Sequence, residues 1–126
     1  MLSASFIVIA CNHWPGIEND RYYACRDNLI NALPEEEKQM SCELYVQEVM
    51  KFRRALNLTS ISDPELFHCR FIEPSLALSE WLPEEGRMLD IGSGMGVPGI
   101  PLLVAKPGLV GVLVERRKKR AEFLRH

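Results

Sequence analysis

At 126 residues, 47% hydrophobic and 25% charged, the chain has the composition of one soluble globular domain, not of a fibrous, disordered or membrane-embedded protein. The formal net charge of -2 argues against a uniformly basic nucleic-acid binder. The charge is uneven, however: acids dominate residues 18–48 and bases dominate residues 112–126, so a surface for a polyanion is expected at the C-terminal end.

Phe6 to Cys11 is an apolar run at the short limit of a signal core, with no Lys or Arg before it, and the lipoprotein-like box Val8-Ile9-Ala10-Cys11 is set aside on that ground. Residues 1–18 read as an extension, loosely ordered or packed as an extra strand, with no function expected there. From Asn19 to Leu33, Tyr22, Cys25, Leu29 and Leu33 recur at helical spacing and Pro34 closes the pattern, which predicts a first amphipathic helix. Glu35, Glu36 and Glu37 suit the first turn of a second helix, where the macrodipole favours acids. Its apolar face is expected along Met40, Leu44, Tyr45, Val49, Phe52 and Leu56, a packing stripe more than a cofactor box.

Asn57 to Ser62 interrupts the pattern. Pro64 then suits a first helical position, and Ser62 with Glu65 has capping-box spacing, so a third helix is expected through Leu66, Phe67, Cys69 and Ile72. Pro74 predicts a break or kink, followed by a short fourth helix carrying Leu76, Leu78 and Trp81. Residues 19–83 thus read as a helical region. Residues 84–126 read as the first half of a nucleotide-binding unit.

Arg87 to Ile91 has the side chains of a buried strand, and Gly92, Gly94 and Gly96 follow it with the freedom to take positive φ and to let backbone approach a ligand. Gly94-Met95-Gly96-Val97-Pro98-Gly99 fits the dinucleotide pattern G-x-G-x-x-G, with Glu115 near the place of a ribose-holding acid. A diphosphate, though, wants free N–H groups and no nearby carboxylate, whereas Pro98 and Pro101 lack N–H groups and Asp90 would repel it. Asp90 would attract the ammonium and sulfonium charges of S-adenosylmethionine, which is the favoured ligand. Pro98 to Lys106 is expected to be a short helix, and Gly111 to Glu115 a second strand parallel to the first. Glu115 then either accepts both ribose hydroxyls or pairs with the bases that follow it. Arg116, Arg117, Lys118, Lys119 and Arg120 open another helix; cations at a helix N-terminus oppose the macrodipole, which suggests a polyanionic neighbour, although a solvated face is the plainer alternative.

Cys11, Cys25, Cys42 and Cys69 have no C-x-x-C spacing, and His13, His68 and His126 complete no zinc pattern, so no metal site is expected. Scattered single cysteines fit a reducing cytoplasm.

Asn57-Leu58-Thr59-Ser60-Ile61, Asp63-Pro64-Glu65, the run Leu89 to Leu102 with its Pro-Gly-x-Pro, and Lys118-Lys119-Arg120 with Phe123-Leu124 resemble the bacterial RsmG (GidB) family of class I methyltransferases, over about residues 20–126. The resemblance implies an α/β fold: N-terminal helices, then the first βαβ part of a Rossmann-like S-adenosylmethionine-dependent methyltransferase, its C-terminal part missing. It implies N7-methylation of a guanine in 16S ribosomal RNA or a small-subunit precursor, in the cytoplasm. Asp90, Gly92, Ser93, Gly94, Gly96, Val97 and Glu115 would bind the cofactor and Arg116 to Arg120 the RNA, with no catalytic acid or base. Phe71 and Pro74 depart from the family pattern, which has a histidine and an aspartate there. Two parallel strands are too few for a stable sheet, so the chain is expected to be an N-terminal piece with impaired activity, covering its open sheet edge by self-association. The competing expectation is a non-catalytic helical interaction module with a vestigial nucleotide turn.

Overall fold

The computed structural model describes residues 5–9, 22–26 and 35–126. Four strands form one sheet in the order β2-β1-β4-β3, with β1 at Ser5–Ile9, β2 at Tyr22–Arg26, β3 at Glu85–Ile91 and β4 at Gly108–Val114. β3 and β4 run parallel from Glu85 opposite Gly108 to Ile91 opposite Val114, and one helix connects them, as the crossover between parallel strands requires. β1 extends the sheet, parallel to β4, and β2 closes on β1 as an antiparallel partner.

The sheet has four strands among the described residues, and the first of them lies in the expected extension, where an extra strand was one of the two expectations; a second expectation is corrected. The helix expected over residues 19–33 is replaced at Tyr22–Arg26 by β2; its other supports, Leu29, Leu33 and Pro34, lie outside the described residues. Tyr22 and Tyr23 favour strands, and β1 supplies a ladder partner that spacing along one segment cannot reveal.

Helix α1, Glu35–Phe52, buries Cys42, Tyr45, Val46 and Val49, an i, i+3, i+4, i+7 stripe. Tyr45 and Val49 face inward as expected, but Met40 and Leu44 are exposed, because the stripe runs through the small Cys42 instead. The chain then turns at Asn57, whose φ is +52°.

Asp63 caps the next helix, its carboxylate accepting the Glu65 N–H at 2.9 Å, where Ser62 was the expected cap. Helix α2, Pro64–Phe67, passes through a π-helical turn at His68–Ile72 directly into α3, Glu73–Ser79. The widened turn accommodates Pro74, which lacks an N–H and crowds the carbonyl four residues back; the expected break becomes a bulge. Its five-residue step places both Phe67 and Ile72 in the core, fully buried. Leu78 and Trp81 are exposed.

Helix α4, Gly99–Ala105, and helix α5, Lys118–Arg125, complete the core, contributing Leu102, Leu103 and Val104 and then Ala121 and Phe123. β4 alternates cleanly, with Leu109 and Leu113 buried. β3 is an edge strand and not the buried one expected: Leu89 is 60% and Ile91 76% exposed. Both pair in register with half-buried valines of β4, Leu89 with Val112 and Ile91 with Val114, so that side of the sheet is the less covered one. Among the described residues no helix is long and apolar enough to cross a membrane.

Candidate functional site

Strand β3 delivers its chain into a turn over residues 92–98 that lies against the end of β4. The Gly92 and Ser93 N–H groups both donate to the Val114 carbonyl, at 2.7 and 3.0 Å, tying the turn to the neighbouring strand. The buried Ser93 hydroxyl donates to the Asp90 carbonyl at 2.9 Å, and the Gly96 N–H donates to the Ser93 carbonyl at 2.7 Å. The turn is therefore a closed network and not a loose loop.

Gly94 and Gly96 both take positive φ, +59° and +106°, a region costly for side chains with a Cβ. Their surroundings differ. A Cβ on Gly96 would collide with Ile100 and Leu124 beneath the turn, whereas one on Gly94 would meet nothing closer than the Gly92 carbonyl at 3.9 Å. The upper side of the turn is thus open at Gly94, a cradle that a side chain there would fill. Val97 and Met95 pack against the main core from this turn.

Asp90 sits half-buried under the turn, one carboxylate oxygen accepting the Gly99 N–H at 3.2 Å. Burial pushes its carboxyl above the usual aspartate range; the hydrogen bonds from Gly99 and Ser93 oppose that shift. The result is a partly desolvated anion beside the first residue of α4, a place where a cationic ligand gains more than it would in water.

Glu115 follows β4 and is only 5% exposed. One carboxylate oxygen accepts the Gly94 N–H at 2.8 Å and the other the Arg117 N–H at 2.7 Å. The residue expected to receive ribose hydroxyls thus also latches the glycine turn to the start of α5. Each oxygen has a further lone pair, so the two roles are chemically compatible.

Of the five cations, Arg116, Arg117, Lys118 and Lys119 are exposed at the start of α5, whose N-terminus has no side-chain cap. Arg120 instead turns inward: its guanidinium donates to the Asn57 carbonyl and lies beside Gly94, while its Nε is buried without a partner. Leu56, Asn57 and Arg117 to Arg120 line a cleft of about 350 Å³.

Two participants were missed in the sequence. Asn57 receives Arg120, and Tyr45 donates its hydroxyl to the Met95 carbonyl at 2.9 Å, within the turn itself. The available signal was that a tyrosine on a core stripe needs a partner for its hydroxyl once buried. Among the described residues no group of three or more His, Cys, Asp or Glu side chains could hold a metal.

The chain matches the family model described as rRNA small subunit methyltransferase G over residues 38–126. It is 42% identical over 81 residues to "Ribosomal RNA small subunit methyltransferase G" of Xylella fastidiosa (strain M23), covering 64% of this chain and 38% of that protein. It is 39% identical over 94 residues to the protein of the same name from Shewanella sp. (strain W3-18-1), covering 75% and 44%. With the one from Pectobacterium carotovorum subsp. carotovorum (strain PC1), the identity is 36% over 103 residues, covering 79% and 49%. The chain therefore spans less than half the length of these relatives.

Proposed function

Because the chain belongs to the GidB family of small-subunit rRNA methyltransferases, we propose that it binds S-adenosylmethionine at the glycine turn and, in the cytoplasm, contributes to N7-methylation of a guanine in 16S ribosomal RNA. The observation that carries the cofactor is a half-buried Asp90 carboxylate near the end of β3, which leads into a turn that is open at Gly94. Bound there, S-adenosylmethionine would supply the sulfonium methyl group. A dinucleotide is disfavoured by the same geometry: the N–H groups of Gly94, Gly96 and Gly99 already have acceptors within the protein, and a diphosphate would face Asp90.

In this reading Asp90 holds the cationic methionine end, Gly92, Ser93, Gly94 and Gly96 present backbone to it, Val97 packs beside it and Glu115 accepts ribose hydroxyls. Guanine N7 carries a lone pair and no proton, so no general base is required. The protein contributes alignment and an electrostatic environment for charge moving from sulfur to base. The exposed Arg116, Arg117, Lys118 and Lys119 contact RNA phosphates, with Arg120 anchoring their helix to Asn57. The bare edge and face of β3 support self-association.

Calorimetric titration of the chain with S-adenosylmethionine and, separately, with NAD tests the cofactor. Binding of the first alone is expected, and Gly94→Leu is expected to abolish it while costing about 1–2 kcal/mol of stability through its left-handed φ. Binding of NAD would overturn the reading, and binding of neither would leave the interaction module as the better account.

A further inference from the structure

The Met95 carbonyl stands between two glycines in left-handed conformations, Gly94 and Gly96. In the Met95–Gly96 peptide the Gly96 N–H is tied to the Ser93 carbonyl at 2.7 Å inside the turn, which leaves the Met95 carbonyl oxygen to be held. Its partner comes from outside the turn: the Tyr45 hydroxyl, 2.9 Å away, from the middle of α1. The ring that carries this hydroxyl is itself immobilised. It is 9% exposed and meets Phe67 edge-on at 6.4 Å between centroids, and Phe67 is fully buried with its ring tilted 50° against that of Phe71 at 5.0 Å. The side chains of Met95 and Val97 pack on the same cluster. The helical region therefore fixes the turn both by a directed hydrogen bond and by contact.

We propose that Tyr45 is a positioning residue for the cofactor site: by holding the Met95 carbonyl it sets the backbone shape of the glycine turn, and through that shape the affinity for S-adenosylmethionine. This rests on the cofactor assignment made above. Burial, with Cys42 and Asp90 as further contributors, pushes the Tyr45 hydroxyl well above its ordinary range, so it remains a donor wherever the protein is folded.

Tyr45→Phe removes the oxygen and keeps the ring. By calorimetry its dissociation constant for S-adenosylmethionine is expected to rise about tenfold, the equivalent of one lost hydrogen bond. The amide resonances of Gly94, Met95 and Gly96 are expected to shift or broaden in a ¹⁵N–¹H spectrum. Ser79→Ala supplies the control, since it deletes another buried hydroxyl bond, to the Leu76 carbonyl, away from the turn; its affinity is expected to match the unmodified chain. Tyr45→4-aminophenylalanine restores a donor and is expected to recover the lost affinity, which a purely structural role for the ring would not predict. Wild-type affinity in Tyr45→Phe, or an equal loss in Ser79→Ala, overturns the proposal. If the unmodified chain binds no S-adenosylmethionine, the cofactor assignment fails by itself. The spectrum then decides Tyr45: unmoved turn resonances refute its hold on the turn, and shifted ones support it.

Discussion

Asp90 combines two demands that pull apart. In the proposed site its charge would be what a sulfonium ligand recognises, and its burial makes that charge costly. The folded-state pKa is raised, so the desolvation cost is absent when the group is protonated in both folded and unfolded chains, and it is incurred as pH rises through the folded value. Asp90 alone therefore lowers stability as pH rises from the ordinary aspartate range through its raised folded value, while S-adenosylmethionine affinity is expected to follow the opposite course, falling as pH drops through the same value. Asp90→Asn keeps an oxygen for the Gly99 N–H. Thermal melts are expected to show a variant no less stable at neutral pH, whereas calorimetry is expected to show affinity reduced about 10- to 100-fold, the weight of a charge-assisted contact. The spacing of Asp90 and the glycines was legible in the sequence because a turn of this kind is local. The contacts of Tyr45, 50 residues away, and of Asn57 to Arg120, 63 apart, were not, because they exist only once the helices pack.

The elements show how far periodicity reaches. It placed α1, α4, α5 and the parallel pair β3 and β4, but it chose the wrong edge of the α1 stripe, since Met40 and Leu44 share a helical face almost as well as Cys42 and Val46 do. Packing decides between them. Val49→Ala, at a fully buried position, is expected to cost about 2 kcal/mol from lost transfer energy and the cavity left behind. Leu44→Ala is expected to stay within about 0.5 kcal/mol, because its side chain is already in solvent. Urea titration of the two variants separates these outcomes. The π-helical turn was illegible for a related reason: a one-residue shift of phase at His68–Ile72 breaks any count of spacings carried from Phe67 to Ser75, and only the fixed geometry of Pro74 hinted at it.

At the scale of the whole molecule, the fold is asymmetric. Helices α1 to α5 supply the core and turn, while Leu89 and Ile91 leave apolar surface on the edge strand. Sedimentation velocity is expected to show concentration-dependent association. Leu89→Lys combined with Ile91→Lys is expected to abolish it with the fold retained, since charge on an exposed edge strand blocks strand addition. That the sheet also gathers β2 was hidden in the sequence, because a strand is defined by its partner. The Glu115 latch has a last consequence. Its charge is met by two amide dipoles, those of Gly94 and Arg117, deep enough that mobile ions scarcely reach it. The cations just beyond it lie in open solvent, where counterions compete directly. Ionic strength should therefore uncouple the two ligands. Raising it from about 50 to 200 mM is expected to cut RNA affinity by about 10²-fold for four phosphate contacts while moving S-adenosylmethionine affinity less than about twofold, as filter binding and calorimetry at matched salt would register. Under the proposed function, a molecule built this way would shed RNA as salt rises and keep its methyl donor.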